Sequence, residues 1–168
     1  MDFRLAVMDD LPQLKAVYKD IVQNMDRHQI CIWDDIYPGG FFEEDIENNR
    51  LYVLLDYNEI VSAFVLQNTS PGEKAVEWQE DQGKACYLDR LGVNINYLKR
   101  GIGSLMLQKA KETAKKLGVG YLRLFVVDIN KPAIGLYRKN GFVKANGGYD
   151  EIVDEDLVLH EYGFEAAL

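Results

Sequence analysis

The stretch of the sequence best equipped for chemistry is residues 97–107, which read YLKRGIGSLML. Gly101 and Gly103 lie where a predicted strand, residues 86–93, is followed by a predicted helix. Glycine lets the backbone approach a ligand closely, and the first N–H groups of a helix lack internal partners and carry the positive end of the helix dipole. The spacing therefore predicts a turn that binds an anion such as a phosphate.

Two common phosphate-binding motifs do not match this turn. A Walker loop needs Gly-Lys-Ser/Thr, but Gly103 is followed by Ser104 and Leu105. A dinucleotide fingerprint needs a third glycine where this chain has Met106. The sequence thus argues against these two nucleotide-binding classes. A strand-to-helix joint that binds nothing remains the alternative interpretation of the two glycines.

The charges of the chain are unevenly distributed along the sequence. Residues 98–144 hold eleven Lys or Arg against two acids, a net of +9, whereas the remaining residues hold 8 basic and 25 acidic side chains, a net of −17. The basic part suits a polyanionic small molecule, and the acidic part would attract a cation such as an amine. Most of this surface would repel nucleic acid, so no nucleic-acid partner is expected. Solvated helix faces are the simpler alternative for any single lysine.

The pattern of apolar residues predicts an α/β fold for one domain spanning residues 1–168. Strands are predicted at residues 3–7, 50–55, 60–67, 86–93, 121–127, 142–145 and 157–161. Helices are predicted after Asp9 or Asp10, at residues 43–48, from Gly101, and at residues 131–139, with a loop at residues 68–84 and a turn at residues 146–148. Residues 86–93 and 121–127 flank a helix, which predicts that they run parallel.

Cysteine and histidine usage argues against a metal site or a cysteine nucleophile. Cys31 and Cys86 lie far apart without the spacing of metal ligands, so we expect structural thiols and no metal. Acyl-enzyme chemistry on Cys86 with His28 or His160 has no supporting motif. The chain has no run of 18 apolar residues, which predicts a cytoplasmic protein without a membrane partner.

Aromatic residues cluster around a Pro-Gly-Gly break in residues 30–42, ICIWDDIYPGGFF. Such a segment is typical of a flexible flap, and Trp33 and Tyr37 are predicted to face the substrate. Ordinary covering of the core by Trp33, Tyr37 and Phe41 is the alternative, and the two roles are compatible.

Residues 130–142, NKPAIGLYRKNGF, follow the glycine turn by one predicted strand. Together with the R-G-I-G turn, this N-x-x-A-x-x-L-Y-x-x-x-G-F pattern resembles the GNAT family of N-acetyltransferases, over a core of about residues 86–142. The resemblance implies a mixed, mostly antiparallel sheet with a splayed central parallel pair, flanked by helices. It also implies that an acetyl group is transferred from acetyl-CoA to a primary amine of a small molecule or peptide, by direct attack in a ternary complex. The expected oligomeric state is a monomer or homodimer.

The resemblance further implies where acetyl-CoA binds. Its pyrophosphate would lie on the backbone of Leu98, Lys99, Arg100, Gly101, Ile102, Gly103 and Ser104. The pantetheine arm would extend beside Leu91, Gly92 and Val93, with the N–H of Leu91 or Gly92 polarising the thioester carbonyl. The family commonly has Gln or Arg where this chain has Leu98, but backbone donors do most of the pyrophosphate binding.

Tyr137 matches the family's general acid, which protonates the departing thiolate. A phenol of pKa near 10 is a proton donor at neutral pH. The alternative is a core tyrosine with a satisfied hydroxyl. Asn130 would hydrogen-bond the cofactor or shape the start of the helix, and it is also a competent helix cap.

The general base is expected to be a carboxylate, because an alkylammonium of pKa about 10 must lose a proton before attack. Asp89 is the first candidate, since strand alternation places it on the face of Leu91 and Val93. A simple ion pair is the alternative role for Asp89. Further candidates lie in or beside the flap: Asp34, Asp35 and Glu43. The rival function is a catalytically silent acyl-CoA-binding or sensing module, against which an intact Tyr137 argues.

Overall fold

The computed structural model describes residues 1–168, with ten strands and four α-helices. The strands are β1 (Asp2–Leu5), β2 (Leu51–Asp56), β3 (Glu59–Gln67), β4 (Val76–Glu77), β5 (Ala85–Val93), β6 (Tyr121–Val127), β7 (Val143–Lys144), β8 (Asn146–Gly147), β9 (Tyr149–Asp154) and β10 (Leu157–Ala167). The helices are α1 (Leu11–Arg27), α2 (Phe42–Glu47), α3 (Ile102–Lys116) and α4 (Lys131–Lys139). None of the helices combines the length and the apolar character needed to cross a membrane.

Residues 1–66 and 90–106 form one compact unit. In it β1, β2 and β3 pair antiparallel in that order, and the second half of β5 follows β3. Helix α1 has a proline in its first turn, as predicted, and buries a stripe of Leu14, Tyr18 and Ile21 in the core. The carboxylate of Asp10 accepts a hydrogen bond from the backbone N–H of Val7 at 2.8 Å, which fixes the chain just before this helix.

Residues 67–89 and 107–168 form the second compact unit. The first half of β5 pairs parallel with β6, as predicted, with Ala85 opposite Tyr121. Strand β10 pairs antiparallel with β6 along one edge and with β7 and β9 along the other. The fold class is therefore α/β with a mixed, mostly antiparallel sheet and one parallel pair, which confirms the prediction.

Two sequence predictions for the second unit are wrong. Residues 68–84 are not all loop, because β4 lies within them and pairs antiparallel with β8. Strand β8 consists of Asn146 and Gly147, which were predicted as a turn. A two-residue strand is too short to show an alternating pattern, so the Asn-Gly-Gly sequence indicated only a turn.

The end of the sheet is also longer than the pattern predicted. Strand β10 has 11 residues, where residues 157–161 were predicted, and β9 was not predicted at all. A glycine stands in the middle of β10 because Trp78 packs there: a Cβ on Gly163 would lie 3.0 Å from its indole ring. The acidic residues of β9 have low strand propensity, so the sequence pattern did not indicate a strand there. Strand propensity depends on context, and pairing with β10 makes this segment a strand.

Candidate active site

The predicted anion-binding turn has the backbone conformation that such a site needs. Lys99 has φ of 60° and Gly101 has φ of 77°, both left-handed, and helix α3 begins at the next residue, Ile102. Left-handed residues next to right-handed ones turn successive N–H groups toward one side, which makes an anion-binding concavity. Leu98, Lys99 and Arg100 are exposed, so the turn is open to solvent. The residues present fit a phosphate.

Tyr97 anchors this turn to the hairpin between β2 and β3, a contact that the sequence pattern did not reveal. Its hydroxyl donates a hydrogen bond to Oε2 of Glu59 at 2.8 Å. That bond to a carboxylate raises the pKa of Tyr97 to about 12. The guanidinium carbon of Arg100 lies 5.2 Å from the centre of the Tyr97 ring, so the anchor also orients a cation of the turn.

Strand β5 carries the residues expected beside the pantetheine arm. Leu91 and Val93 are half-buried, and Gly92 is buried. A Cβ on Gly92 would lie 2.8 Å from the ring of Tyr18, so only glycine fits between the strand and α1. The Gly92 carbonyl accepts a hydrogen bond from the Ser62 hydroxyl at 2.6 Å, which fixes the strand where the thioester is expected.

Tyr137 is half-buried in α4, and its ring contacts are aromatic. The ring centres of Phe142 and Phe164 lie 5.9 Å and 6.3 Å away. Burial, and secondarily the negative charge of Asp89, raise the pKa of the Tyr137 phenol well above its usual value. None of the hydrogen bonds of the chain uses this hydroxyl. The phenol therefore keeps its proton at neutral pH, as a proton donor must, and its role as the general acid stays a prediction.

Asp89 lies in an acidic group that includes a residue missed by the sequence analysis, Glu161. The carboxylate of Asp89 accepts a hydrogen bond from Nε2 of Gln67 at 2.8 Å. Burial first, then a hydrogen bond with Glu151 and the negative charges of Glu151 and Asp89, raise the pKa of Glu161 to about 8. Nothing in the sequence around Glu161 signals this, because the effect depends on how β9 and β10 pair, and β9 was not predicted.

Asn130 stands immediately before α4, and its side-chain oxygen accepts a hydrogen bond from the backbone N–H of Ala133 at 3.3 Å. This is the helix-capping role that the sequence offered as an alternative. A role toward the cofactor stays a prediction.

The aromatic flap, residues 30–42, packs on α1 while remaining partly open. Trp33 stacks on Tyr18 with ring centres 5.7 Å apart and meets Tyr37 edge-on at 6.5 Å. Both flap residues are half-buried, so they cover the core and still present surface. Asp34 accepts hydrogen bonds from the backbone N–H groups of Ile36 and Tyr37 at 2.8 Å and 2.7 Å, which gives it a structural task in the flap.

The remaining candidates of the sequence analysis are dispersed. Asp35 and Glu43 are exposed. Cys86 is buried, and this burial raises the pKa of its thiol to about 11, which makes it a poor nucleophile. The side chain of His160 pairs with Asp150 at 2.6 Å on the surface. The structure brings together no group of three or more potential metal ligands.

Comparison with known proteins identifies relatives along most of the chain. The model of the acetyltransferase (GNAT) family matches residues 15–142. The chain is 29% identical over 147 residues to YwnH of Bacillus subtilis (strain 168), which carries the provisional description phosphinothricin acetyltransferase; the match covers 86% of this chain and 85% of that protein. The chain is also 40% identical over 60 residues to the thialysine N-epsilon-acetyltransferase of Bos taurus, a shorter match that covers 36% of this chain and 35% of that protein.

Solved structures share the fold from end to end. A GNAT-family acetyltransferase of Streptococcus agalactiae 2603 superposes with a TM-score of 0.82 at 14% identity, covering 99% of this chain and 95% of that one. The ribosomal-protein-alanine N-acetyltransferase of Brucella melitensis gives a TM-score of 0.71 at 22% identity, with both chains fully covered (100% and 100%). The family model spans well over half of the sequence. The chain therefore belongs to the acetyltransferase (GNAT) family and is an N-acetyltransferase.

Proposed function

We propose that this enzyme transfers the acetyl group of acetyl-CoA to a primary amine of a small molecule or peptide, by direct attack within a ternary complex. The observation that carries the proposal is the turn at residues 98–104. In a chain of this family, it has two left-handed residues, Lys99 and Gly101, directly before helix α3. We further propose that residues 1–168 act as one functional domain.

The proposed cofactor contacts are mostly backbone groups. The pyrophosphate is held by the N–H groups of residues 98–104, with positive charge from Lys99 and Arg100. Ser104 stands in the first turn of α3, at the end of the helix where the dipole favours negative charge. The pantetheine arm runs beside residues 91–93, and the N–H of Leu91 or Gly92 polarises the thioester carbonyl. Asn130 contributes through the start of α4.

Tyr137 is the proposed general acid. When the amine nitrogen bonds to the thioester carbon, the carbon–sulfur bond breaks and the leaving thiolate takes a proton. A half-buried phenol that retains its proton, and that has no hydrogen bond to another group of the chain, is suited to this transfer.

The proposed base is the acidic pair of Asp89 and Glu161. A base works best when its pKa is near the working pH, and the pKa of Glu161, about 8, meets that condition. Asp89 remains part of the proposed base, because its negative charge raises the pKa of both Glu161 and Tyr137. In this arrangement Asp89 draws the ammonium in, and Glu161 accepts its proton.

The names of two relatives support a small amine-bearing acceptor, since phosphinothricin and thialysine are compounds of that kind. Trp33 and Tyr37 are the proposed acceptor-binding side chains, because both lie in the flap and remain half-exposed.

Binding of acetyl-CoA tests the cofactor part of the proposal. At a hundredfold excess over its dissociation constant, acetyl-CoA should add about 2.7 kcal/mol to the free energy of unfolding and so raise the melting temperature. NAD and ATP should not raise it. Gly103→Val should abolish the shift, because a branched Cβ crowds the phosphates. The matched control is Gly120→Val, outside the turn and outside any helix. An unchanged melting temperature at millimolar acetyl-CoA would contradict the proposed cofactor.

Turnover separates the enzyme from the silent acyl-CoA-binding module. Release of the CoA thiol, followed over a panel of amines, should rise above the rate without amine for at least one acceptor. Tight binding without release for any amine would favour the sensing module.

A further inference from the structure

A buried cation stands in the middle of β5, at the strand position between Asp89 and Leu91. Arg90 is only 7% exposed. Its Nε lies 3.4 Å from Oδ2 of Asp45, a residue of α2 that is completely buried. A buried ion pair is in general no more stabilising than apolar side chains of the same size, so stability alone gives no reason for this pair.

The guanidinium of Arg90 also joins the aromatic flap to the strand. Its central carbon lies 5.3 Å from the ring centre of Tyr37 and 5.3 Å from that of Phe41. The two rings meet each other edge-on at 5.5 Å. Attraction between a desolvated cation and aromatic faces is strong. Apart from one 3₁₀ turn, Gly39–Phe41, and Phe42 at the start of α2, the flap has no regular structure, so contacts of this kind hold it in place.

The backbone of Arg90 makes a second connection to the flap. Its φ of 54° is left-handed, which is unfavourable for a residue with a side chain and persists only where the surroundings impose it. Its carbonyl accepts a hydrogen bond from the hydroxyl of Tyr18 at 2.5 Å. Tyr18 in turn stacks on Trp33. One residue thus contacts the Tyr37–Phe41 end of the flap directly and the Trp33 end through Tyr18.

We propose that Arg90 is the positioning residue that holds the aromatic flap on β5, so that selection among amines depends on it. This inference rests on the proposed transfer to an amine. Arg90 does not touch the reacting atoms in this scheme. It sets the position of the acceptor-binding rings relative to the strand position of the thioester, whereas the pyrophosphate turn is built from other backbone groups and does not depend on Arg90.

Three variants at two positions test the proposal. Arg90→Met removes the cation, and Arg90→Lys keeps a charge without the planar guanidinium. The matched control is Arg50→Met, because Arg50 pairs with the same Asp45, Nε to Oδ1 at 2.7 Å, but stacks on neither flap ring. Trp33 reports the flap directly: in a Trp78→Phe background it is the single tryptophan, since the chain has two.

Arg90→Met should increase acrylamide quenching of Trp33 and raise KM for the preferred amine on the order of tenfold. Differences among amines should shrink, and the dissociation constant of acetyl-CoA should stay within about twofold of the parent. Arg90→Lys should fall between the parent and Arg90→Met, because it restores the charge only. Arg50→Met should leave quenching and amine preference near the parent values.

Equal effects of Arg90→Met and Arg50→Met would overturn the proposal, since Arg90 would then serve only to pair with Asp45. Unchanged Trp33 quenching would overturn it too, as would a loss of acetyl-CoA affinity as large as the rise in amine KM. If the parent protein acetylates no amine, the proposed function fails, while the quenching measurement still decides whether Arg90 holds the flap. Should Arg90→Met not fold, Arg90→Lys and Tyr37→Leu test the same contact from its two sides.

Discussion

At the scale of single residues, Tyr137 shows why the side chain and its surroundings must be considered together. Its place in the N-x-x-A-x-x-L-Y pattern indicated a general acid, but the same position suits a core tyrosine. The structure adds burial beside Asp89 and a hydroxyl outside the hydrogen bonds of the chain, two features that no local sequence pattern contains. Both favour the acid.

Tyr137→Phe should keep the affinity for acetyl-CoA and lower kcat by roughly 10² to 10⁴, the range for losing a positioned proton donor. The ring and its contacts with Phe142 and Phe164 remain, so the fold should not change. Tyr57→Phe is the control, because Tyr57 is 96% exposed. Equal turnover by parent and Tyr137→Phe would return Tyr137 to a packing role.

Glu161 leads to a prediction about pH. If it is the base, log(kcat/KM) should rise as Glu161 loses its proton and level off above its pKa of about 8. Glu161→Gln should remove that bend and lower the plateau when the same amine is used. Glu155→Gln, on an exposed residue of the turn between β9 and β10, should leave the profile unchanged. A bend that persists near pH 8 in Glu161→Gln would assign the base elsewhere.

The same carboxyl predicts a change in stability with the opposite trend. Its pKa is raised on folding, so the folded state binds the proton more tightly than the unfolded chain does. That contribution to stability is complete below the ordinary glutamate pKa and is lost as pH rises through about 8. Between pH 5 and pH 9 the melting temperature of the parent should therefore fall more than that of Glu161→Gln, because only the parent loses the stabilisation from this one titrating carboxyl.

At the scale of elements, the sequence predicted the long periodic ones well. Residues 121–127 and 131–139 were predicted with the bounds that β6 and α4 have. Apolar alternation and a capping asparagine followed by proline are local signals, so no tertiary information was needed. Strands β4, β8 and β9 were missed, because two of them are two residues long and the third is acidic and exposed. Their partners, rather than their own residues, make them strands.

Gly92 gives a prediction at this scale, because it lets β5 approach α1. Gly92→Ala would place a Cβ 2.8 Å from the Tyr18 ring and should cost about 1–3 kcal/mol of stability by overpacking. Gly135→Ala is the matched control. Its Cβ would meet nothing within 4 Å, and alanine in the interior of α4 should stabilise by about 0.5–1 kcal/mol. Chemical denaturation of both variants measures the difference, and a neutral Gly92→Ala would show that the ring can move aside.

At the scale of the whole molecule, the sequence showed that charge is unevenly distributed along the chain, but it did not show which charged side chains pair with each other. Of the acids in and beside the flap, Asp45 is buried and pairs with Arg50, Glu44 is exposed and also pairs with Arg50, and Asp34 holds a turn of the flap. Asp35, Glu43 and Glu47 are left exposed. A count of charges along the chain cannot reveal this, because the pairing depends on α2 meeting Arg50 and Arg90.

The last prediction concerns those three exposed acids and the choice of amine. If they border the amine entrance, cationic acceptors should react faster than neutral acceptors of the same size, because negative charge concentrates cations. The advantage should fall as salt rises, since exposed charges are screened over about 10 Å at 0.1 M. Neutralising Asp35, Glu43 and Glu47 together to Asn and Gln should remove the advantage at low salt.

The matched control for this test lies at the β9–β10 hairpin, where Asp154 is the last residue of β9 and Glu155 and Asp156 form the turn. Asp154, Glu155 and Asp156 are exposed, and their replacement by Asn and Gln changes the net charge by the same amount. If both triple variants lose the preference equally, total charge attracts the amine and the flap has no special role. If salt and both triples leave the ratio of cationic to neutral rates unchanged, the rings of Trp33 and Tyr37 select by shape alone.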